Sequence, residues 1–115
     1  MPLLKLETTV AIPEDKQKSL LASLSKIVGE TIGKPEQYVM VTIGSASMLM
    51  SGKSGPACFG EVRSIGGLNQ QVNGELSRKL CRLLNESLGI PADRIYLNFV
   101  DVAAADWGWN GSTFG

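Results

Sequence analysis

The chain has 115 residues, 19% of them charged, with 11 basic and 11 acidic side chains and no formal net charge. This length suits one domain with a modest core. No segment clusters the lysine and arginine residues needed to bind a phosphate backbone, so we expect no nucleic-acid partner. The absence of histidine excludes serine–histidine triads, histidine metal ligands and the usual neutral-pH base.

The first predicted element is a strand over residues 2–10, which is rich in apolar and β-branched side chains. Acidic residues at 14–15 mark the first turn of a following helix, where they favour the positive end of the helix dipole. Its apolar stripe is formed by Leu20, Leu21, Leu24, Ile27, Val28 and Ile32. Gly33 ends the helix, Pro35 prevents its continuation, and alternating apolar residues predict a strand over 38–44.

The same order then repeats, with a strand predicted over residues 58–65, a helix from about 69 to 88 and a strand over 94–101. At an offset of 56 positions Leu20 falls on Leu76, Gly33 on Gly89 and Pro35 on Pro91. A repeat of this length indicates a duplicated supersecondary unit. The two copies cover about residues 2–44 and 58–101 of a single domain, 1–115, and are followed by a tail over 102–115.

Two strand-helix-strand units predict an α+β fold in which a four-stranded mixed sheet carries both helices on one face. Strands joined by a helix are parallel, and a pseudo-twofold axis relates the copies. On the other face, large apolar groups such as Met40 and Tyr96 alternate with charges such as Lys5 and Glu61. That mixture suits a surface that packs against other subunits, so we expect an oligomer.

Positions at which the copies disagree are the first candidates for function. The differing pairs are Pro2 and Cys58, Lys34 and Ile90, and Asn98 and Thr42. Removal of the initiator methionine would leave Pro2 with a free secondary amine, and a free α-amine has a pKa of about 7.7–8.0. Burial and the nearby cation of Lys34 would lower that pKa, which suits a general base in a chain without histidine.

Other candidates would bind and polarise a substrate. Lys34 would hold a carboxylate, and Asn98 with Tyr96 would stabilise an oxygen on which enolate charge builds. The structural alternatives are a solvated lysine, a hydrogen-bonded sheet asparagine and an interface tyrosine. Ile65 fits either a pocket wall or the core. The last nine residues contain Trp107, Trp109 and Phe114, which would pack on the body or form a wall for a planar substrate.

Two further features bear on redox chemistry and location. Cys58 and Cys81 are too few for a zinc site and lack Cys-x-x-Cys spacing, so we expect buried free thiols, no metal and no cofactor. Residues 1–5 lack the order of a signal peptide, and no apolar stretch reaches the length of a membrane span. We therefore expect a cytoplasmic protein without a membrane partner, with leaderless release left open.

Segments spread along the whole chain resemble the macrophage migration inhibitory factor family of the tautomerase superfamily. They are Met1-Pro2, Gly33-Lys34-Pro35-Glu36-Gln37-Tyr38, Ser64-Ile65-Gly66, Asp93-Arg94-Ile95-Tyr96-Leu97-Asn98 and Gly108-Trp109-Asn110-Gly111-Ser112-Thr113-Phe114. The resemblance implies a homotrimer of paired β-α-β units whose mature N-terminal proline is the catalytic base.

Carried over by position, the resemblance makes Pro2 the base and Lys34 the substrate-binding lysine. The pocket walls would be Tyr38, Ile65, Trp107, Trp109 and Phe114, whereas Tyr96 and Asn98 would come from a neighbouring subunit. Trp107 stands where an aliphatic residue is common, which would narrow or flatten the pocket. Residues 56–61 lack the Cys-x-x-Cys element of the cytokine members, so we expect no thiol–disulfide oxidoreductase activity.

The leading hypothesis is a cofactor-independent keto–enol tautomerase acting on small aromatic 2-oxo acids such as phenylpyruvate. The alternative is a cytokine or binding protein of the same family with a vestigial pocket, for which a receptor partner is unknown. A third interpretation is a small ligand-sensing oligomer on a ferredoxin-like scaffold.

Overall fold

The computed structural model describes residues 1–115. The main elements are β1 (Pro2–Thr8), α1 (Glu14–Ile32), β2 (Met40–Ser45), β3 (Cys58–Ser64), α2 (Gln70–Leu88) and β4 (Ile95–Asp101). One-turn 3-10 helices occupy Glu36–Tyr38, Ala92–Arg94 and Ala104–Asp106. The tail ends in a small hairpin of β5 (Gly108–Trp109) and β6 (Ser112–Thr113).

The sheet confirms the predicted fold class. Its strand order is β2-β1-β3-β4, with β1 parallel to β2, β3 parallel to β4, and β1 antiparallel to β3. The two helices have 19 residues each, and α2 begins and ends 56 positions after α1. The duplication seen in the sequence is therefore a duplication of structure.

The core lies between the two helices and the sheet. Leu4 and Leu6 of β1 are buried against Leu24 of α1 and against Leu76 and Leu80 of α2. Burying a leucine side chain stabilises a fold by roughly 1.5–3 kcal/mol, so this layer dominates the stability of the molecule. Neither helix is long and apolar enough to cross a membrane.

The ends of two strands differ from the prediction because other groups form hydrogen bonds with the backbone there. β1 ends at Thr8, whose hydroxyl donates to the Ala57 carbonyl at 2.9 Å and accepts from the Val10 amide at 3.2 Å. Tyr38 belongs to a 3-10 turn rather than a strand because its amide donates to the Pro35 carbonyl at 3.0 Å.

The hairpin in the tail was not predicted. Its turn contains Asn110 and Gly111, both with positive φ (51° and 80°). Asn-Gly is the preferred pair for a two-residue hairpin turn, so the signal was present in the sequence.

Candidate active site

An open cavity of about 500 Å³ lies where β1 begins. Pro2, the first residue of β1, is fully buried and forms part of its wall. Tyr38 lines the cavity from the turn after α1, and Trp107, Trp109 and Phe114 line it from the tail. The structure thus brings the predicted base together with four of the predicted wall residues.

The aromatic side of the cavity is built by contacts between the tail and the body. Trp109 stacks on Phe114, and Tyr38 meets Trp109 edge-on with ring centroids 6.4 Å apart. The tail is anchored to the sheet by the Val102 amide, which donates to the Ser64 carbonyl at 2.9 Å. Flat rings held in this way can receive a planar aromatic ligand.

The N-terminal amine beside this cavity has a lowered pKa. Burial is the larger cause, because it disfavours the charged form, and the positive charge of Lys34 is the second. The amine carrying this shift is that of Met1, one residue before the proline nitrogen. The local environment therefore favours a neutral amine at the start of β1.

Lys34 is half-buried at the turn that follows α1. Gly33 adopts a left-handed conformation (φ 80°), and the Lys34 amide donates to the Gly29 carbonyl at 3.0 Å. Lys34 and the half-buried Ile65 are not among the residues that line the cavity. The positive charge of Lys34 nevertheless contributes to the lowered pKa of the Met1 amine, and Met1 does line the cavity.

Tyr96 and Asn98 are not brought to Pro2 within one chain. Pro2 pairs with Ser64 at one end of the sheet, whereas Tyr96 pairs with Phe59 and, through it, with Glu7 near the other end. Along β3, Ser64 and Phe59 are five residues apart, which corresponds to about 17 Å at 3.4 Å per residue. Both side chains are exposed, Tyr96 to 65%.

Tyr96 lines a second cavity, of about 370 Å³, together with the segment 46–51. Arg94 holds this region by donating to three backbone carbonyls, those of Pro56 (2.7 Å), Lys53 (3.0 Å) and Met50 (3.3 Å). Because all three acceptors are backbone atoms, the Arg94 side chain fixes the path of the chain beside Tyr96.

Two charged residues in the wall of the first cavity were missed by the sequence analysis. Arg63 lies on the open face of β3, with its Nε and Nη2 atoms 3.3 and 3.2 Å from Glu61 Oε2. Asp106 ends the 3-10 turn of the tail. The alternation of β3 indicates the face on which Arg63 lies, whereas nothing in the sequence places Asp106 near the cavity.

Both thiols are free, and Cys58 is buried as expected, whereas Cys81 is only half-buried. Burial raises the pKa of Cys58 to about 11, and the neighbouring Cys81 adds to the shift. Burial also raises the pKa of Cys81. Thiol reactivity depends on the thiolate, so neither sulfur is suited to nucleophilic or redox chemistry near neutral pH.

The duplicated β-α-β sheet places the chain in the tautomerase superfamily. The macrophage migration inhibitory factor homologue from Prochlorococcus marinus superposes with a TM-score of 0.93 at 46% identity, covering 98% of this chain and 99% of that chain. The factor from Trichinella spiralis gives 0.88 at 39% identity, over 97% of this chain and 99% of that chain.

Sequence comparison agrees. The homologue of the same factor from Trichuris trichiura is 42% identical over 115 residues, covering 99% of this chain and 100% of the relative. The profile of the family described as macrophage migration inhibitory factor matches residues 1–115. The chain belongs to this family, and the resemblance noted in the sequence is confirmed.

Proposed function

We propose that this protein is a cofactor-independent keto–enol tautomerase acting on phenylpyruvate and similar aromatic 2-oxo acids. The observation that carries the proposal is the burial of Pro2 in the wall of an aromatic cavity, in surroundings that lower the pKa of the adjacent Met1 amine. A neutral amine is a base, and the flat apolar wall accounts for an aryl group on the substrate.

In the proposed mechanism, removal of Met1 makes the Pro2 nitrogen the N-terminal amine. This amine takes a proton from the carbon next to the ketone, and the C–H electron pair forms the C=C bond while the carbonyl pair moves to oxygen. Protonation of that oxygen gives the enol, and the reverse steps return the ketone. Lys34 binds the substrate carboxylate by charge.

The enolate oxygen would be stabilised by Asn98 and Tyr96 of a neighbouring copy. The support for a shared site is that both residues are exposed and that neither lines the cavity that contains Pro2 of their own chain. Large apolar side chains are also exposed along the same face and its flanking loop, with Met40 at 62% and Leu49 at 74%. We therefore propose a homotrimer with active sites at subunit boundaries.

The test begins with the intact mass of the purified protein, which should lack Met1. Phenylpyruvate tautomerisation is then measured for the parent and for Pro2→Gly, which keeps an N-terminal amine but loses the secondary amine and its fixed geometry. Positioned proton transfer accelerates a reaction by about 10²–10⁴-fold, so kcat should decrease by a factor in that range. Pro13→Gly, at the exposed start of α1, is the matched control and should keep the parent rate.

Retention of Met1, or a Pro2→Gly enzyme as fast as the parent, would contradict this mechanism. The relatives are named for an inhibitory factor, which keeps a signalling or binding role as the alternative. A parent protein that binds phenylpyruvate in the cavity without converting it would favour that role.

A further inference from the structure

Lys34 and its structural counterpart Ile90 occupy equivalent turns but different surroundings. Ile90 is fully buried, and the Asn85 side chain donates to its carbonyl at 3.1 Å. The residue equivalent to Asn85 in the first copy is Gly29. A β-carbon at Gly29 would lie only 3.2 Å from the carbonyl oxygen of Lys34. Because Gly29 has no side chain, the backbone of the Lys34 turn can pack directly against α1.

A second glycine meets the side chain of Lys34. Gly67 has a φ of 81°, and a β-carbon there would lie 2.8 Å from Ile32 Cγ2 and 3.4 Å from Lys34 Cε. The adjacent Gly66 has nearly the same backbone angle (φ 71°), yet a β-carbon there would have no atom within 4 Å. Of these two left-handed glycines, only Gly67 lies where an added β-carbon would contact the lysine.

The contact matters because Cε is bonded directly to the ammonium nitrogen of Lys34. A methyl group at position 67 would overlap Ile32 Cγ2 and would come into van der Waals contact with Lys34 Cε, so it would fill the space beside the lysine stem. The core packing of Ile32, which is 7% exposed, limits how far it can yield. Relief of the overlap therefore requires the backbone at position 67 to shift, and with it the surface beside the lysine stem.

We propose that Gly67 is a positioning residue, whose bare backbone forms the wall along which the Lys34 stem runs and so directs the ammonium group towards the substrate carboxylate. This inference rests on the function proposed above. Gly67 would act through Lys34 and would not itself touch the substrate.

The experiment compares Gly67→Ala with Gly66→Ala. Both variants place a side chain at a left-handed φ and so carry similar backbone strain, but only Gly67→Ala contacts Lys34. KM for phenylpyruvate should be about five- to tenfold higher in Gly67→Ala than in Gly66→Ala, as expected for a weakened charged contact. kcat should differ less than about twofold, because a carboxylate clamp acts on ground state and transition state alike.

Two further measurements separate positioning from general damage. With the methyl ester of phenylpyruvate, which lacks the carboxylate, the two variants should have equal KM values. In a Lys34→Ala background, Gly67→Ala should cause no additional rise in KM. If Gly67→Ala fails to fold while Gly66→Ala folds, both variants are made again in an Ile32→Ala background, which removes the Cγ2 atom that a β-carbon at position 67 would overlap.

Equal KM values for phenylpyruvate in the matched pair, with an active parent, would overturn the inference while leaving the proposed function intact. An inactive parent would instead defeat the proposed function, and positioning would then be measured through the pKa of the N-terminal amine by NMR titration. The Lys34 charge lowers that pKa, so a displaced lysine should raise it in Gly67→Ala relative to Gly66→Ala. An unchanged pKa would overturn the inference in that case too.

Discussion

The rings of Trp109 and Phe114 are stacked, with their centroids 5.6 Å apart and their planes inclined by 12°. Both belong to the tail, on either side of the Asn110-Gly111 turn, and Tyr38 from the first copy packs on the edge of Trp109. The aromatic wall is therefore assembled from segments that are distant in sequence, and it should select substrates by their ring.

Replacing Trp109 with leucine should reduce kcat/KM for phenylpyruvate about tenfold, since an aromatic pair contributes about 0.5–1.5 kcal/mol beyond its buried area. A small aliphatic 2-oxo acid such as 2-oxobutanoate should be affected much less. Steady-state kinetics with both substrates provide the measurement. Equal losses for the two acids would show that Trp109 supports the fold of the site rather than recognition of a ring.

The rate should rise with pH through the pKa of the N-terminal amine, because the protonated amine cannot accept a proton. Burial and Lys34 lower the pKa of the Met1 amine, and the Pro2 amine formed by removal of Met1 would lie one residue further into the same surroundings. The midpoint of the kcat/KM profile should therefore lie below about 7.7, the lower value for an ordinary α-amine.

Lys34→Ala should move that midpoint upward, because it removes a cation that disfavours the protonated amine. Lys26→Ala, on the exposed side of α1, should leave it unchanged. A midpoint that does not respond to Lys34→Ala would mean that the titrating group lies elsewhere.

Mixing two inactive variants should restore activity if sites are shared between copies. Pro2→Gly and Asn98→Ala, unfolded and refolded together in equal amounts, should form sites that combine an intact Pro2 with an intact Asn98. About a quarter of the sites would do so on random assembly of a cyclic trimer. The same variants refolded separately and then mixed serve as the control. Absence of recovery after joint refolding would contradict the shared site.

The start of α2 offers a stability prediction that is independent of function. The Asn69 side chain accepts a hydrogen bond from the Val72 amide at 2.8 Å and so caps the helix. Asn69→Ala should lower the free energy of unfolding by about 1 kcal/mol, whereas Asn69→Asp should preserve the cap. Urea denaturation measures both values. Equal stability of the two variants would mean that the cap contributes nothing.

The fold was predictable because its determinants are local and appear twice. The stripe of Leu20, Leu24 and Val28 defines the buried face of α1, and its repetition 56 positions later defines that of α2. Gly33 and Gly89 are both left-handed, with φ of 80° and 70°, and each ends its helix where the sequence indicated. Local periodicity and capping are enough to predict such elements.

The site was only partly predictable because much of it depends on long-range contacts. Pro2 and Lys34 stand out in the sequence as places where the copies differ. Arg63 and Asp106 do not, since only the folded chain brings them to the same cavity. The role proposed for Gly67 could not be predicted for a similar reason, because it depends on the proximity of a helix end that precedes Gly67 by more than 30 residues.

Pro2 and Cys58 occupy equivalent positions in the two copies of the repeat, and this equivalence has a topological consequence. A polypeptide has one amino terminus, so a protein made of two covalently joined copies can present a terminal amine in only one of them. The second copy begins in the middle of the chain, where its first strand residue is held by peptide bonds on both sides and Cys58 is simply buried. Fusing the repeats thus makes two structurally equivalent strand starts chemically inequivalent.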